Sequence, residues 1–281
     1  MGDRTRLHKI SNEPARDIGF ELGKLSGVRE RQIGMKQARL RFYAQLNDFL
    51  PPPQRMQTVT HTFDVSGSVK DVIESLGVPH TEVDLILANG TPVDFSYAVR
   101  DGDRVSVYPA FRSVDISPVE HLRAQLPPEL RFVADGHLGR LAAYLRMLGF
   151  DTLYRSDYAD NELAAISARE KRILLTRDRG LLMRTVVTWG YCLRTTDPSR
   201  QLAEVVRHFD LIRSVFPFRR CMHCNSLLQK ADKEAIRDRL LPQTREHFDE
   251  FFSCPECHRI YWKGSHYRRM TRLIESVAAP G

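Results

Sequence analysis

Four of the chain's five cysteines fall in two Cys-x-x-Cys pairs near its end, Cys221-Met222-His223-Cys224 and Cys254-Pro255-Glu256-Cys257. Twenty-nine residues separate the pairs. Each pair presents two sulfurs from one tight turn, and together they suit a tetrahedral d¹⁰ ion, so the spacing predicts a structural zinc site on Cys221, Cys224, Cys254 and Cys257. Such a site has no open coordination position, and chemistry is therefore expected elsewhere. A pair of reducible disulfides or four unrelated buried thiols are the competing readings. Cys192, the leftover thiol, reads as a small core residue.

Aspartates form the second set of chemistry-bearing residues. Asp135 directly follows the apolar run Arg131-Phe132-Val133-Ala134, Asp178 lies two residues beyond Ile173–Thr176, Asp160 precedes the helical stretch Asn161–Glu170, and Asp197 follows Tyr191-Cys192-Leu193. Carboxylates gathered at one mouth repel unless a divalent ion sits among them, and oxygen-only ligands favour Mg²⁺ or Mn²⁺. One or two such ions can orient a water for in-line attack on a phosphodiester. Each aspartate also has a plain reading. Asp160 and Asp197 are good helix N-caps, the latter before Pro198, while Asp135 and Asp178 suit turns. Glu162 is a further, secondary candidate, since a first-turn glutamate is also what a helix dipole favours.

The elements that must position these aspartates follow from periodicity. Leu138, Leu141, Ala142, Leu145 and Leu148 line one helical face closed by Gly149, Asp151–Tyr154 reads as a strand, and a further helix begins near Ser199. Strands alternating with helices imply a parallel sheet, which binds ligands at the carboxyl ends of its strands. The preceding segment is organised differently. Leu40, Phe42, Ala44 and Leu46 alternate with Arg39, Arg41, Gln45 and Asn47, predicting a half-buried strand that ends before Pro51-Pro52-Pro53. A second alternating run spans Thr58–Val65, a short helix starts at Ser68 and ends at Gly77, and Leu85–Ala88, Asn89-Gly90 and Val105–Tyr108 give a strand, a turn and a strand. Residues 112–130, with Pro118, Pro127 and Pro128, suit a linker, and residues 1–35 are polar and weakly periodic.

Charge is unevenly spread along the 281 residues. Of the net +7, residues 1–130 carry −1, residues 131–206 carry +3 and residues 207–281 carry +5. Near the chain's end Arg219-Arg220 and Arg268-Arg269 are interleaved with Tyr261, Trp262, His266 and Tyr267, a mixture that suits phosphate contact and base stacking, or else a plain solvated surface. Arg177 and Arg179 flank Asp178 and are candidates for the same contact. The composition, 42% hydrophobic and 27% charged, is that of a globular protein rather than a disordered one. No apolar run approaches the ~18 residues of a membrane span, and the N-terminal residues have neither a signal-peptide apolar region nor a myristoylation site. A cytoplasmic location and no membrane partner are expected.

Two stretches carry family resemblances. Val83–Gly90 and Asp101–Pro109, in a ββαββ order, resemble β-grasp sulfur carriers and other ubiquitin-like domains over residues 38–111. Sulfur carriers act through a free terminal Gly-Gly, and here the corresponding strand runs on into Ala110-Phe111-Arg112, so a docking module with a protein partner is the reading that remains. Phe132–Ala142, Leu145–Thr152 and Leu174–Leu181 resemble the PIN-like RNase domain of the mutator-seven C-terminal type, and the two Cys-x-x-Cys pairs match the zinc ribbon of that family. The family often carries an N-terminal ubiquitin-like domain. The resemblance implies an α/β fold, a PIN-like parallel sheet with flanking helices and an appended zinc ribbon, preceded by an α+β β-grasp domain. Its expected layout is a tail at 1–35, a ubiquitin-like domain at 36–112, a linker at 113–130, a PIN-like nuclease domain at 131–212, and the zinc ribbon with the C-terminal part of the RNase domain at 213–275.

The function so implied is a metal-dependent ribonuclease that leaves 5′-phosphate and 3′-hydroxyl ends. Its acidic positions fall on Asp135, Asp160 and Asp178, with Asp197 a fourth, and they would hold Mg²⁺ or Mn²⁺. RNA would be gripped by Arg177, Arg179, Arg219, Arg220, Arg268 and Arg269. The alternative is a non-catalytic RNA- or ribosome-binding adaptor that uses the ribbon and the basic C-terminal surface.

Overall fold

The computed structural model describes residues 35–109, 126–217, 219–265, 267, 268, 271, 272 and 275. Residues 1–34 of the expected tail, most of the expected linker, His266 and Arg269 lie outside them. Three sheets follow one another along the chain. In the first, strands β1 (Lys36–Phe42), β2 (Thr58–Phe63), β3 (Leu85–Ala88), β4 (Thr91–Pro92) and β5 (Arg104–Tyr108) take the order β2-β1-β5-β3-β4. The central pair, β1 and β5, is parallel and the other pairings are antiparallel, which is the β-grasp layout. Helix α1 (Val69–Ser75) begins at Ser68, whose hydroxyl accepts the Asp71 N–H, and it buries Val69, Val72 and Ile73.

The alternation expected to continue through Leu46 stops at Phe42. Residues Ala44–Phe49 instead form a 3₁₀ turn that buries Leu46 and Phe49. Asn47 drives the change: its buried amide donates to the carbonyls of Phe42 and Ala44, and its Oδ1 accepts the Met56 N–H. Those bonds satisfy backbone groups that a continued strand would have needed a partner for.

The second sheet holds β6 (Phe132–Ala134), β7 (Thr152–Tyr154), β8 (Ile173–Thr176) and β9 (Gly190–Cys192) in the order β7-β6-β8-β9, all parallel. Connecting them are α2 (Gly139–Met147), α3 (Asp160–Glu170), α4 (Arg179–Leu182) and, after β9, α5 (Pro198–His208). The period-2 alternation of the strands divides their side chains between two cores. Phe132, Ala134, Ile173, Leu175 and Tyr191 belong to one with α2 and α5, whereas Val133, Leu174 and Cys192 belong to the other with α3, α4 and the β-grasp core. The third sheet, β10 (Gln229–Ala231), β11 (Phe251–Ser253) and β12 (Ile260–Trp262), is an antiparallel ribbon around Ile236, Leu240 and Phe251. Helix α6 (Pro242–His247) lies between its first two strands.

The first and second sheets share more than a core. β9 is an edge strand, and the Cys192 N–H on its open side is accepted by the carboxylate of Glu82, from the β-grasp segment, at 2.6 Å. Arg194 donates to the Cys192 carbonyl and to both Glu82 oxygens. Glu82 is only 4% exposed. The pair thus caps an open edge with side chains instead of another strand. Nearby, His80 meets the Val187 carbonyl at 3.0 Å, and Arg179 donates to the Phe49 carbonyl at 2.7 Å with its guanidinium over the Phe49 ring. Cys192 is the buried residue expected of it, and burial pushes its thiol up to about 11. Removing one partner of a buried ion pair strands the other, at a cost of about 3–5 kcal/mol. Urea unfolding of Glu82→Ala is expected to show that loss, and Glu82→Gln, which still accepts the Cys192 N–H, a smaller one; parent-like stability in Glu82→Ala would contradict a structural role for the pair.

Candidate active site and metal centre

In the parallel sheet the chain leaves β6 outward to β7 through α2, then returns past β6 to β8 through α3. The two directions part between β6 and β8, and a crevice opens at their carboxyl ends. Asp135 follows β6 there and Asp178 follows β8. A single hydroxyl joins them: Thr176 Oγ1 donates to Asp135 Oδ2 at 2.5 Å and accepts the Asp178 N–H at 2.9 Å. Asp135 Oδ1 accepts the Gly136 N–H, and His137 Nδ1 stands 3.3 Å from Asp135 Oδ2. Asp178 Oδ1 caps α4 by accepting from Gly180 and Leu181. Asp135 is part-buried with its side chain 17% exposed, while Asp178 is exposed.

Glycines make the turn after Asp135 possible. A Cβ on Gly136 would stand 2.8 Å from the Ser156 carbonyl oxygen, and one on Gly139 would stand 2.6 Å from the Tyr154 hydroxyl. The Tyr154 hydroxyl in turn donates to the Gly136 carbonyl, so the loop that carries Asp135 is packed directly on the segment after β7.

The other two aspartates stand apart from this relay. Asp160 is the first residue of α3, with Ala159 in the cap position, and its exposed carboxylate lies 3.9 Å from Arg184. Asp197 caps α5, accepting the Arg200 N–H at 2.9 Å. Among the described residues, the four cysteines, whose sulfurs all lie within 4.8 Å of one another, form a group that could hold a metal ion, whereas the four aspartates do not form such a group. Glu162 is exposed in the first turn of α3.

The cysteine centre is built from two matching knuckles. In each, the residue after the second cysteine adopts a left-handed conformation, Asn225 at φ 74° and His258 at φ 60°. Each of these residues returns its N–H to the first cysteine's carbonyl, Asn225 to Cys221 and His258 to Cys254. Sulfurs meet across the knuckles, Cys221 with Cys257 at 3.4 Å and Cys224 with Cys254 at 3.3 Å. Those separations exceed a disulfide bond of about 2.05 Å and approach the spacing of thiolates around an ion with bonds of about 2.3 Å. All four thiols are free, so the disulfide reading does not hold. Burial raises the Cys224 thiol, but donors from Ser226 outweigh it and bring it down to about 6; burial and the neighbouring thiols push Cys257 up to about 12.

A polar network fastens the first knuckle to the parallel sheet. Arg146 of α2, buried, donates to the Met222 and His223 carbonyls and to that of Thr152. Asn225 accepts the Thr152 N–H and donates to Asp151, and Arg172 holds the same carboxylate at 2.7 Å. The cations named from the sequence divide accordingly. Arg220 donates to the Asn225 carbonyl and lies 3.6 Å from Asp151, and Arg179 is engaged with Phe49. Arg177, Arg219 and Arg268 are exposed. Sequence reasoning missed Thr176, His137, Asp151, Arg146 and Asn225. Only the first two carried a signal, by adjacency to the aspartates.

A doubly wound parallel sheet with paired aspartates at its switch point and a four-cysteine ribbon fastened to its side defines a PIN-like α/β domain with an appended metal-binding ribbon. The chain matches the family model of the Mut7-C RNAse domain over residues 130–274, and it belongs to that family. Residues 35–115 match the Mut7-C ubiquitin family model, which covers the β-grasp sheet. No curated protein and no solved structure matches the chain. Among the described residues no helix is long and apolar enough to cross a membrane.

The Asp151 carboxyl tests the network that fixes the ribbon. Burial alone would raise it, but hydrogen bonds from Arg172 and Asn225 and the charges of Arg172 and Arg220 hold it below the usual carboxylate range. A depressed carboxylate contributes stability that is present above the unfolded-state value of about 3.9 and lost as pH falls through the folded value. Thermal unfolding of Asp151→Asn is therefore expected to be less stable than the parent at neutral pH and to lose less on acidification below about pH 4; parallel pH profiles would contradict this.

Proposed function

We propose that the protein is a metal-dependent ribonuclease whose working carboxylates are Asp135 and Asp178, with Asp160 and Asp197 at the border of the same mouth. The observation that carries the reading is the Asp135–Thr176–Asp178 relay at the sheet's switch point, in a chain of the Mut7-C RNAse family. The donor set is all oxygen and suits Mg²⁺ or Mn²⁺: one oxygen of Asp178 accepts two N–H groups while the other has no hydrogen bond among the described residues. Such an ion, when bound, would neutralise phosphodiester charge and lower the pKa of a water. The chain's residues do the rest. Thr176 fixes the Asp135 carboxylate, the Gly136 and Gly139 turns press its loop onto Tyr154, and the Gly180 and Leu181 amides orient Asp178. Arg177, Arg184, Arg219 and Arg268, exposed, are suited to phosphate contact.

Zinc is the proposed occupant of the four-cysteine centre, where it would brace the ribbon against α2 rather than react. The division of labour follows the layout expected from the sequence, a β-grasp domain at 36–112, a nuclease domain at 131–212 and a ribbon at 213–275. A cytoplasmic location remains part of the proposal, as does a protein partner for the ubiquitin-like domain. Because the four aspartates do not form a metal-ligating group among the described residues, one alternative is favoured, an adaptor that binds RNA without cutting it.

With Mn²⁺ present, Asp135→Asn and Asp178→Asn are each expected to lower RNA cleavage by more than about 100-fold, and Thr176→Val, which loosens the carboxylate without removing it, by roughly 10–100-fold. Cleaved ends should carry 5′-phosphate and 3′-hydroxyl. Asn is as good a helix cap as Asp, so Asp197→Asn keeps α5 intact and reports on ion binding alone. Parent-like cleavage by the Asp135 and Asp178 variants would overturn the nuclease reading, and RNA binding without cleavage by the parent would establish the adaptor.

A further inference from the structure

Two hydroxyls reach the sulfurs of the four-cysteine centre: Tyr261 Oη stands 3.0 Å from Cys221 Sγ, and Ser226 Oγ stands 3.5 Å from Cys224 Sγ. The Cys257 N–H adds a bond to Cys254 Sγ at 3.4 Å. Ser226 and Cys257 lie two and three residues from the cysteines they meet, so those bonds come with the knuckles themselves. Tyr261 is forty residues from Cys221 and reaches it only because the fold brings it there.

Strand β12 supplies the direction. Ile260 and Trp262 pack against the ribbon's small core of Ile236, Leu240 and Phe251, and strand alternation turns the residue between them to the opposite face. Gly264 keeps Trp262 in that place: its N–H donates to the Trp262 carbonyl, and a Cβ on it would stand 2.7 Å from Trp262 Nε1. Tyr261, partly buried, lines one cleft with Ala143 of α2 and with Met222 and His223 of the first knuckle. Its hydroxyl has Cys221 as its one hydrogen-bond partner among the described residues. The contact thus joins the hairpin that carries the second knuckle to a sulfur of the first.

A thiolate bound to zinc can only accept, so the tyrosine must then be the donor, and a bond to a charged acceptor is about twice as strong as one between neutral groups. A dication among four thiolates leaves negative charge on the sulfurs, and Cys221 is fully buried, away from bulk water. Arg146, the buried cation beside the first knuckle, gives its N–H groups to the carbonyls of Thr152, Met222 and His223. Direct donation to the Cys221 sulfur from a side chain therefore falls to Tyr261.

We infer that Tyr261 is a positioning residue of the metal centre: its hydroxyl donates to the Cys221 thiolate, lowers the charge that sulfur carries, and tightens the retention of zinc. The inference rests on the reading of the four cysteines as a metal site. It makes the hold on the metal depend on β12 as well as on the two knuckles.

The test uses the full chain loaded with Co²⁺, whose thiolate-to-metal charge-transfer band reports electron density on sulfur, and with Zn²⁺ in competition with a coloured chelator. Tyr261→Phe keeps the ring and removes the donor. Its band is expected at lower energy than the parent's, and its Kd for Zn²⁺ about 10–100-fold higher. Replacing Tyr261 with para-aminophenylalanine, whose ring amine donates from the same place, should hold both near the parent's values. Tyr97→Phe, which loses a hydroxyl bond to Asp103 in the β-grasp domain, should move neither. A parent-like band and Kd in Tyr261→Phe would overturn the inference, as would equal losses in Tyr261→Phe and the amine variant, which would assign the effect to packing. A parent that shows no thiolate-to-cobalt band would overturn the metal reading itself, and the inference with it.

Discussion

Glu82 occupies the place a fifth strand would take beside β9. A parallel sheet this small has an edge that must be closed, and here a buried carboxylate accepts the Cys192 N–H while Arg194 takes the Cys192 carbonyl. Because the carboxylate belongs to the β-grasp segment, closing the edge also docks that domain. The hydrophobic cluster confirms the consequence: Val133, Leu174 and Cys192 of the parallel sheet are buried together with Phe49, Val78 and Val83 of the β-grasp core. A charged pair in such a setting supplies geometric specificity more than net stability, since both ions lose their hydration. What it fixes is the placement of Phe49 against Arg179 of α4 and against Arg194.

A second polar network does the equivalent work on the other side. Asp151, at the start of β7, gathers Arg172, Arg220 and Asn225, and Arg146 grips the first knuckle's carbonyls. The ribbon is thus held through its backbone, independently of the thiolates. At the mouth between β6 and β8 stand the part-buried Asp135 and the exposed Asp178. There Thr176 ties Asp135 to the Asp178 backbone, a positioning that two isolated aspartates in mobile loops would lack.

Much of this was legible in the sequence, for physical reasons. Apolar runs followed by aspartate marked β6 and β8, because buried parallel strands leave few polar positions and the chain must turn where they end. The cysteine knuckles were equally plain, since ligand spacing is dictated by the ion. Where the reading failed, tertiary contacts decided. Asn47 diverted an alternating run into a 3₁₀ turn by bonding to the carbonyls of Phe42 and Ala44. Arg220 sat in a basic doublet that suited phosphate, yet it lies against Asp151, sixty-nine positions away. Glu82 gave no signal, for its partners Cys192 and Arg194 are more than a hundred residues distant. Aspartate at a helix start is chemically ambiguous, and the fold shows Asp197 and Asp178 acting as caps whatever else they do.

The proposed chemistry requires that Asp135 and Asp178 share a divalent ion. Crystals of the full chain grown with Mn²⁺ and measured at the manganese absorption edge test it most directly. An anomalous peak is expected between the two carboxylates, and it should be absent from Asp135→Asn crystals. No peak there, in crystals whose four cysteines do hold a metal, would contradict it.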